Sequence, residues 1–385
     1  MSLSQSETPS PSLRVSIDAL TGLRFFAASY IIIFHTGLAA ATLQHHIPLL
    51  PRFLSNGYLA VTLFFVLSGF ILAYNYRGRI AGTGKAFRFL EARLARIWPA
   101  YLFSLLCSCW PTSHIPPLKV ALATIFMVQC WNPLHPEFGN SWNFVCWTLS
   151  VEIFFYLVFP FFQRIYEWAS FKTTLLLGSA TLLVAILANT PYHNDTSRYP
   201  GIFFFIIAPM IHLPEFLSGV LAGNLFHLYL RKKHALNLEA SSRPKASRLQ
   251  KLLFAPKGFH ALTYPAGAAS IINLCFAHAN TEGLELFFFA LFLLGLASES
   301  SRLSRFLSSR ILVIGGEISY AMYLLRTPMQ GWILALPPSH LASLLRALYI
   351  PILLIPFSLL TYYLIEGPAR RFLRQTFSVL HDRLA

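Results

Sequence analysis

Residues 57–79 read GYLAVTLFFVLSGFILAYNYRGR. From Tyr58 to Tyr76 the stretch carries no charge, and at 1.5 Å per residue a helix of that length approaches the roughly 20 residues that span the hydrocarbon core of a bilayer. Arg77 and Arg79 follow at once, as basic residues do where a helix leaves the membrane on the cytoplasmic side. The unit recurs outward in both directions. Apolar runs of similar length occur at approximately 20–43, 58–76, 97–112, 143–163, 173–190, 202–230, 261–279, 283–299, 311–335 and 343–365. The fold class is therefore an all-α integral membrane protein of about ten transmembrane helices. The run at 118–131 is shorter and leads into WNPLHPEFGNSW, so it reads as a re-entrant or interfacial segment.

Composition excludes the other classes. Of 385 residues 55% are hydrophobic and 12% charged, far more apolar than a soluble domain. The net charge of +15 does not mark a nucleic-acid partner, because the basic residues gather in the loops between apolar segments. The five cysteines lie in or beside those segments, and Cys107 with Cys109 has a spacing that matches no zinc pattern, so no metal site is read. Loops rich in Arg and Lys follow the second, sixth, eighth and tenth segments, which places both termini in the cytoplasm. The organisation is a disordered tail at 1–16, one polytopic membrane domain at 17–371 and a cytoplasmic tail at 372–385. No signal-peptide order precedes the first helix, which is expected to remain.

Ionisable groups inside a membrane are expensive and point to function. In LRFFAASYIIIFHTG (residues 23–37) Arg24 stands at the start of the first segment and His35 deep within it. Eleven residues turn a helix through three circuits plus about 20°, so both share a face, roughly 16 Å apart along the axis. A ligand with an anionic head and a long thin arm suits that geometry. His35 is either an interhelical hydrogen-bonding group or a general base. Glu152, near the middle of the fourth segment, needs a partner. A Glu and a His brought together in a bundle satisfy each other, with the Glu fixing the imidazole tautomer.

Arg93 and Arg96 in RFLEARLARIWPAY lie at i, i+3 ahead of Pro99, either as a phosphate-binding pair or as ordinary anchoring charge. The sixth segment is interrupted by Pro209 and Pro214 and carries His212 and Glu215, as a broken helix beside a cavity or as a tolerated kink. Ser68 and Gly69 read as a close-packing site. Ser319, Tyr323 and Arg326 line one side of the ninth segment, with Arg326 either snorkelling outward or facing the cavity of His35 and Glu152. Glu366 reads as a structural partner of neighbouring arginines.

Together IDALTGLRFFAA running into His35, GYLAVTLFFVLSGF, the Arg93/Arg96 pair, WTLSVEIFFYLVFP, ISYAMYLL and IEGPARR resemble, from Ile17 to Arg371, the membrane-bound family usually called acyltransferase type 3. The resemblance implies transfer of an acyl group, commonly acetyl, from cytoplasmic acyl-coenzyme A to a hydroxyl of an exported or cell-surface glycan or a lipid-linked sugar, in a bacterial inner membrane among membrane lipid. By position it makes Arg24 and His35 the essential pair, Arg93 and Arg96 the donor-binding pair, and Glu152 the intramembrane carboxylate. Acyl-coenzyme A is then a co-substrate, and no cofactor is held permanently. The motif around YAMYLLR often has His where this chain has Arg326. Either the acceptor side is altered to bind something anionic, or that position is not catalytic. The alternative class is a secondary transporter or exporter of a lipid-linked sugar or small anion, which also uses broken helices and intramembrane charge.

Overall fold

The computed structural model describes residues 17–36, 49–110, 115–132, 138–139, 142–169, 171–189, 208–239, 259–276, 282–298, 301–337, 339 and 349–384. The expected tail at 1–16, the end of the first apolar run (37–43), the starts of the sixth (202–207) and tenth (343–348) and most of the long basic loop after the sixth lie outside them. The described residues are all helical, with no strand.

Helix α1 (Asp18–Phe34) is followed by a short α2 (Leu50–Ser55), then by α3 (Leu59–Tyr76), α4 (Thr83–Ser108) and a second short helix, α5 (Leu118–Ile125). Next come α6 (Trp147–Trp168), entered through a 3-10 turn at Phe144–Cys146, α7 (Phe171–Asn189) and α8 (Pro209–Glu239). The chain continues with α9 (Thr263–Phe276), α10 (Glu282–Ser298), the short α11 (Arg302–Leu307) and α12 (Arg310–Leu334). Two π-helical turns flank α13 (Ile355–Thr361), and α14 (Gly367–Leu384) closes the chain. Among the described residues each apolar run overlaps helix, the tenth being divided between the two π-helical turns and α13. Among the described residues three stretches, Leu59–Tyr76, Phe144–Trp168 and Ile352–Val379, are long and apolar enough to cross a membrane.

Helix α4 begins at Thr83, fourteen residues before the apolar run that starts at 97, so Arg93 and Arg96 ride on the same helix that carries Pro99 and that run. Helix α14 spans Gly367–Leu384. The short α5 does end early. It packs on α4 through Trp98 Nε1 to Ile125 O (3.1 Å), and the loop after it is tied to α6 by Trp131 Nε1 donating to Ser150 O (2.9 Å).

Helix directions follow from who meets whom. Helices α1 and α12 run the same way, since Gly22 lies against Leu312 and His35 is near Arg326. Helices α4 and α12 also run together, with Tyr320 OH donating to Ile97 O and Trp332 Nε1 to Cys107 O. Helices α3 and α8 share a direction, and α9 and α10 are antiparallel, pairing Thr263 with Gly295 and Ser270 with Glu285.

Small residues set the closest approaches. A Cβ on Gly219 would stand 1.9 Å from Val66 O, and one on Gly69 would stand 2.1 Å from Phe216 O, so α3 and α8 touch backbone to backbone. The expectation of close packing at Gly69 is met. Aromatic rings fill the space beside this contact, Phe155 stacking on Phe216 at 4.6 Å and meeting Phe65 edge-on at 5.2 Å. On the side of α1 away from Arg24, Leu23, Phe26, Tyr30 and Ile33 border an apolar cavity of about 770 Å³.

Candidate active site

The first functional cluster forms where α1, α4, α6 and the start of α14 meet. Arg24 from α1 lies within electrostatic reach of Arg93, Arg96, Glu152 and Tyr156. Glu366, at the junction of α13 and α14, faces Arg24, Arg96 and Arg370. Arg93 donates to Tyr76 OH at 3.2 Å, with its guanidinium 5.5 Å above that ring. The Nε atoms of Arg24 and Arg93 are buried with no hydrogen-bond partner among the described residues. The structure thus gathers the three arginines singled out in the sequence, and leaves guanidinium in excess of carboxylate with N–H groups to spare. Such a cluster suits a multiply charged anion.

Glu152 belongs to this cluster. Tyr156 OH donates to its Oε1 at 2.5 Å and Ser68 Oγ at 3.2 Å. With Arg24, Thr148, Ser319, Tyr320 and Tyr323 it lines a cavity of about 70 Å³. Three of those walls are already committed: Ser319 Oγ donates to Gly316 O (2.7 Å), Tyr320 OH to Ile97 O (2.7 Å) and Tyr323 OH to Val145 O (3.3 Å). Arg24 and Glu152 are the ionisable groups that face the cavity.

His35 sits elsewhere. It caps the C-terminal end of α1, its ring against Phe34 at 4.8 Å and Phe144 at 6.5 Å. Among the described residues no hydrogen bond links it to Glu152, and the expected Glu–His pairing is not formed. The reason is register. Helix α6 runs antiparallel to α1 and presents Phe144, eight residues before Glu152 and roughly 12 Å away at helical rise, to the imidazole. Glu152 consequently falls level with Arg24, at the opposite end of the helix.

The side chain nearest in charge to His35 is Arg326. Arg326 is buried, at 5% exposure, so it does not snorkel outward. It lies within electrostatic reach of His35, while the cavity around Arg24 and Glu152 is lined by Tyr323 and Ser319 one and two turns away. His212 and Glu215 form their own pair (3.1 Å), backed by Thr62 at 3.3 Å and by the Phe65 and Trp147 rings. Helix α8 continues from Pro209 through Pro214, which gives the two groups the satisfied setting of a tolerated kink.

Sequence reasoning missed Tyr156 and Tyr76. Tyr156 was legible, because it stands four residues after Glu152 in WTLSVEIFFYLVFP and i, i+4 residues share a helix face. Tyr76 gave no signal, since its contact with Arg93 crosses from α3 to α4. Ser68 does more than pack, as its hydroxyl holds Glu152.

This arrangement, cations at one end of α1 and a histidine at the other, falls within a known class. Over residues 17–366 the chain matches the acyltransferase domain family, and it belongs to that family. It is an acyltransferase of the kind that moves groups other than amino-acyl groups. It is 25% identical over 333 residues to Acyltransferase MdmB of Streptomyces mycarofaciens, covering 80% of this chain and 78% of that one. It is 26% identical over 340 residues to O-acetyltransferase OatA of Staphylococcus aureus, covering 81% of this chain and 50% of that one, so the chain spans about half the length of OatA. A stretch of 87 residues is 39% identical to Protein 2 in the picA locus of Rhizobium radiobacter, 22% of this chain and 40% of that one. No solved structure matches.

Proposed function

We propose that the protein is a membrane-bound O-acyltransferase, acetyl being the first group to test, that takes the acyl group from cytoplasmic acyl-coenzyme A and places it on a hydroxyl of an exported or cell-surface glycan. One observation carries the reading: Arg24, Arg93 and Arg96 converge at one end of α1, with the buried Nε–H groups of Arg24 and Arg93 unused among the described residues, roughly 16 Å along the helix from His35. The phosphates of the donor would rest at the arginines, and its arm would carry the thioester toward the histidine.

His35 then takes the proton of the acceptor hydroxyl as that oxygen attacks the thioester carbonyl. The C–S bond breaks, and the proton passes from His35 to the departing thiolate, so no further reactant is needed. Positioned general bases contribute typically about 10²–10⁴-fold. The Phe34 and Phe144 rings hold the imidazole in place of the carboxylate read from the sequence, and Glu152 serves as counter-charge to Arg24.

The ten-span topology with both termini cytoplasmic, in a bacterial inner membrane, is part of the same proposal. Supporting it, α1, α4 and α12 run one way, and α6 runs against α1, as alternation of the first, third, fourth and ninth spans requires. The exporter reading is less favoured, because from Pro209 onward the described part of the sixth span is a continuous helix with His212 and Glu215 paired to each other.

Thermal unfolding of the purified full-length chain tests the donor assignment. Coenzyme A should raise the melting temperature of the native chain, and Arg93→Ala with Arg96→Ala should abolish most of the rise. An unchanged melting temperature in the native chain, or an undiminished rise in the double variant, would overturn it.

A further inference from the structure

Arg326 has a property that separates it from the other buried arginines. Arg24 has Glu152 and Glu366 within electrostatic reach, and Arg96 and Arg370 face Glu366. Among the described residues the charged and titratable groups around Arg326 are His35, Tyr323 and Tyr349, none of them a carboxylate. At 5% exposure it makes, among the described residues, two long hydrogen bonds, both to neutral groups on its own helix: Gln330 Oε1 at 3.3 Å and Thr327 Oγ1 at 3.2 Å. Its Nε is buried with no partner among the described residues. A guanidinium in such a place costs several kcal/mol unless a counter-charge completes it. That cost is retained beside His35, where the acceptor must come.

We infer that the acceptor itself supplies the missing charge: Arg326 binds a singly charged anionic group, such as the carboxylate of a uronic-acid residue, and thereby holds the neighbouring hydroxyl against His35. This rests on the acyl-transfer reading for the identity of the ligand as an acceptor. A guanidinium offering a free Nε–H beside its terminal nitrogens can take a carboxylate with two parallel bonds, which fixes orientation as well as affinity. A neutral sugar would leave the cation uncompensated. The preference for an acidic sugar thus follows from the uncompensated charge of Arg326, and the acceptor's charge sits near His35, roughly 16 Å along α1 from Arg24. Glu152 and Glu366, at the other end, do not compete for Arg326.

The test reads binding alone, so it does not depend on turnover. The purified full-length chain is heated with sodium glucuronate, with glucose and with sodium chloride at matched ionic strength, and separately with coenzyme A. For the native chain glucuronate should raise the melting temperature by about 2 °C or more, and glucose and salt should not. Arg326→Gln should lose the glucuronate response, keep the coenzyme A response, and unfold no lower than the native chain without ligand, since it removes an uncompensated charge. Arg326→Lys, which keeps the charge but not the fork, should retain part of the glucuronate response.

Equal responses to glucuronate and glucose in the native chain would overturn the inference, as would a native-like glucuronate response in Arg326→Gln. Loss of the coenzyme A response in Arg326→Gln would place Arg326 on the donor side, and failure of that variant to fold would make it structural; either outcome contradicts the inference. Absence of a coenzyme A response in the native chain sinks the donor assignment instead, and leaves the glucuronate comparison to stand or fall separately.

Discussion

Tyr156 donates a 2.5 Å hydrogen bond to Glu152 one turn before it on the same helix, and this contact, with Ser68 on the other side, fixes the carboxylate level with Arg24. A hydrogen bond to a charged group contributes about 1.5–3 kcal/mol. Tyr156→Phe removes it while keeping the ring in its buried place. Acyl transfer should fall about tenfold or more, with the fold intact. A native rate in Tyr156→Phe would show that the position of Glu152 does not matter to turnover.

Glu152→Gln keeps the shape and the bonds to Tyr156 and Ser68 but removes the counter-charge of Arg24. The variant should unfold at a lower temperature than the native chain, because buried guanidiniums are left to repel one another. Coenzyme A should then raise its melting temperature by more than it raises the native one, because donor phosphates replace the missing charge. A coenzyme A shift smaller than native would argue that Glu152 contacts the donor rather than balancing the arginines.

The close approach of α3 and α8 makes Gly219 intolerant of any side chain. Gly219→Val drives a Cβ into Val66 O, and overpacking of this kind costs about 1–3 kcal/mol or more. Gly331, within α12, has nothing within 4 Å of the place a Cβ would occupy. Gly331→Ala should be neutral or stabilise by up to about 1 kcal/mol. Melting temperatures of the two variants in one detergent check both, and a stable Gly219→Val would contradict the helix contact.

His212→Phe separates the role of His212 from that of His35. The substitution removes one partner of Glu215, which keeps Thr62, so stability should drop by about 1–3 kcal/mol and acyl transfer should stay within a few-fold of native. Loss of turnover without loss of stability would move His212 into the site.

The helices were legible because each is an apolar run bounded by charge, and the pairing of Arg24 with His35 on one face followed from the helical repeat alone. Membership in the acyltransferase family was legible in the order of several short motifs. The partner of Glu152 was not. Spacing along one helix gives height and face, whereas which residue of a neighbouring helix stands at that height depends on direction and register, and these are set by contacts such as Gly69 on Phe216 and Gly316 on Thr21. The missing counter-charge of Arg326 was hidden for the same reason. Whether an acid faces it is decided by α1 and by Tyr349, beyond the far end of its own helix.

The most direct measurement of the central claim is incorporation of isotope-labelled acetyl from acetyl-coenzyme A into envelope glycan, in membranes carrying either the native chain or His35→Ala at equal folded amounts. The account predicts label in the glycan with the native chain and a loss of about 10²-fold or more with His35→Ala. Equal labelling by the two would remove His35 from the chemistry, and no labelling by the native chain would contradict acetyl transfer from coenzyme A to glycan.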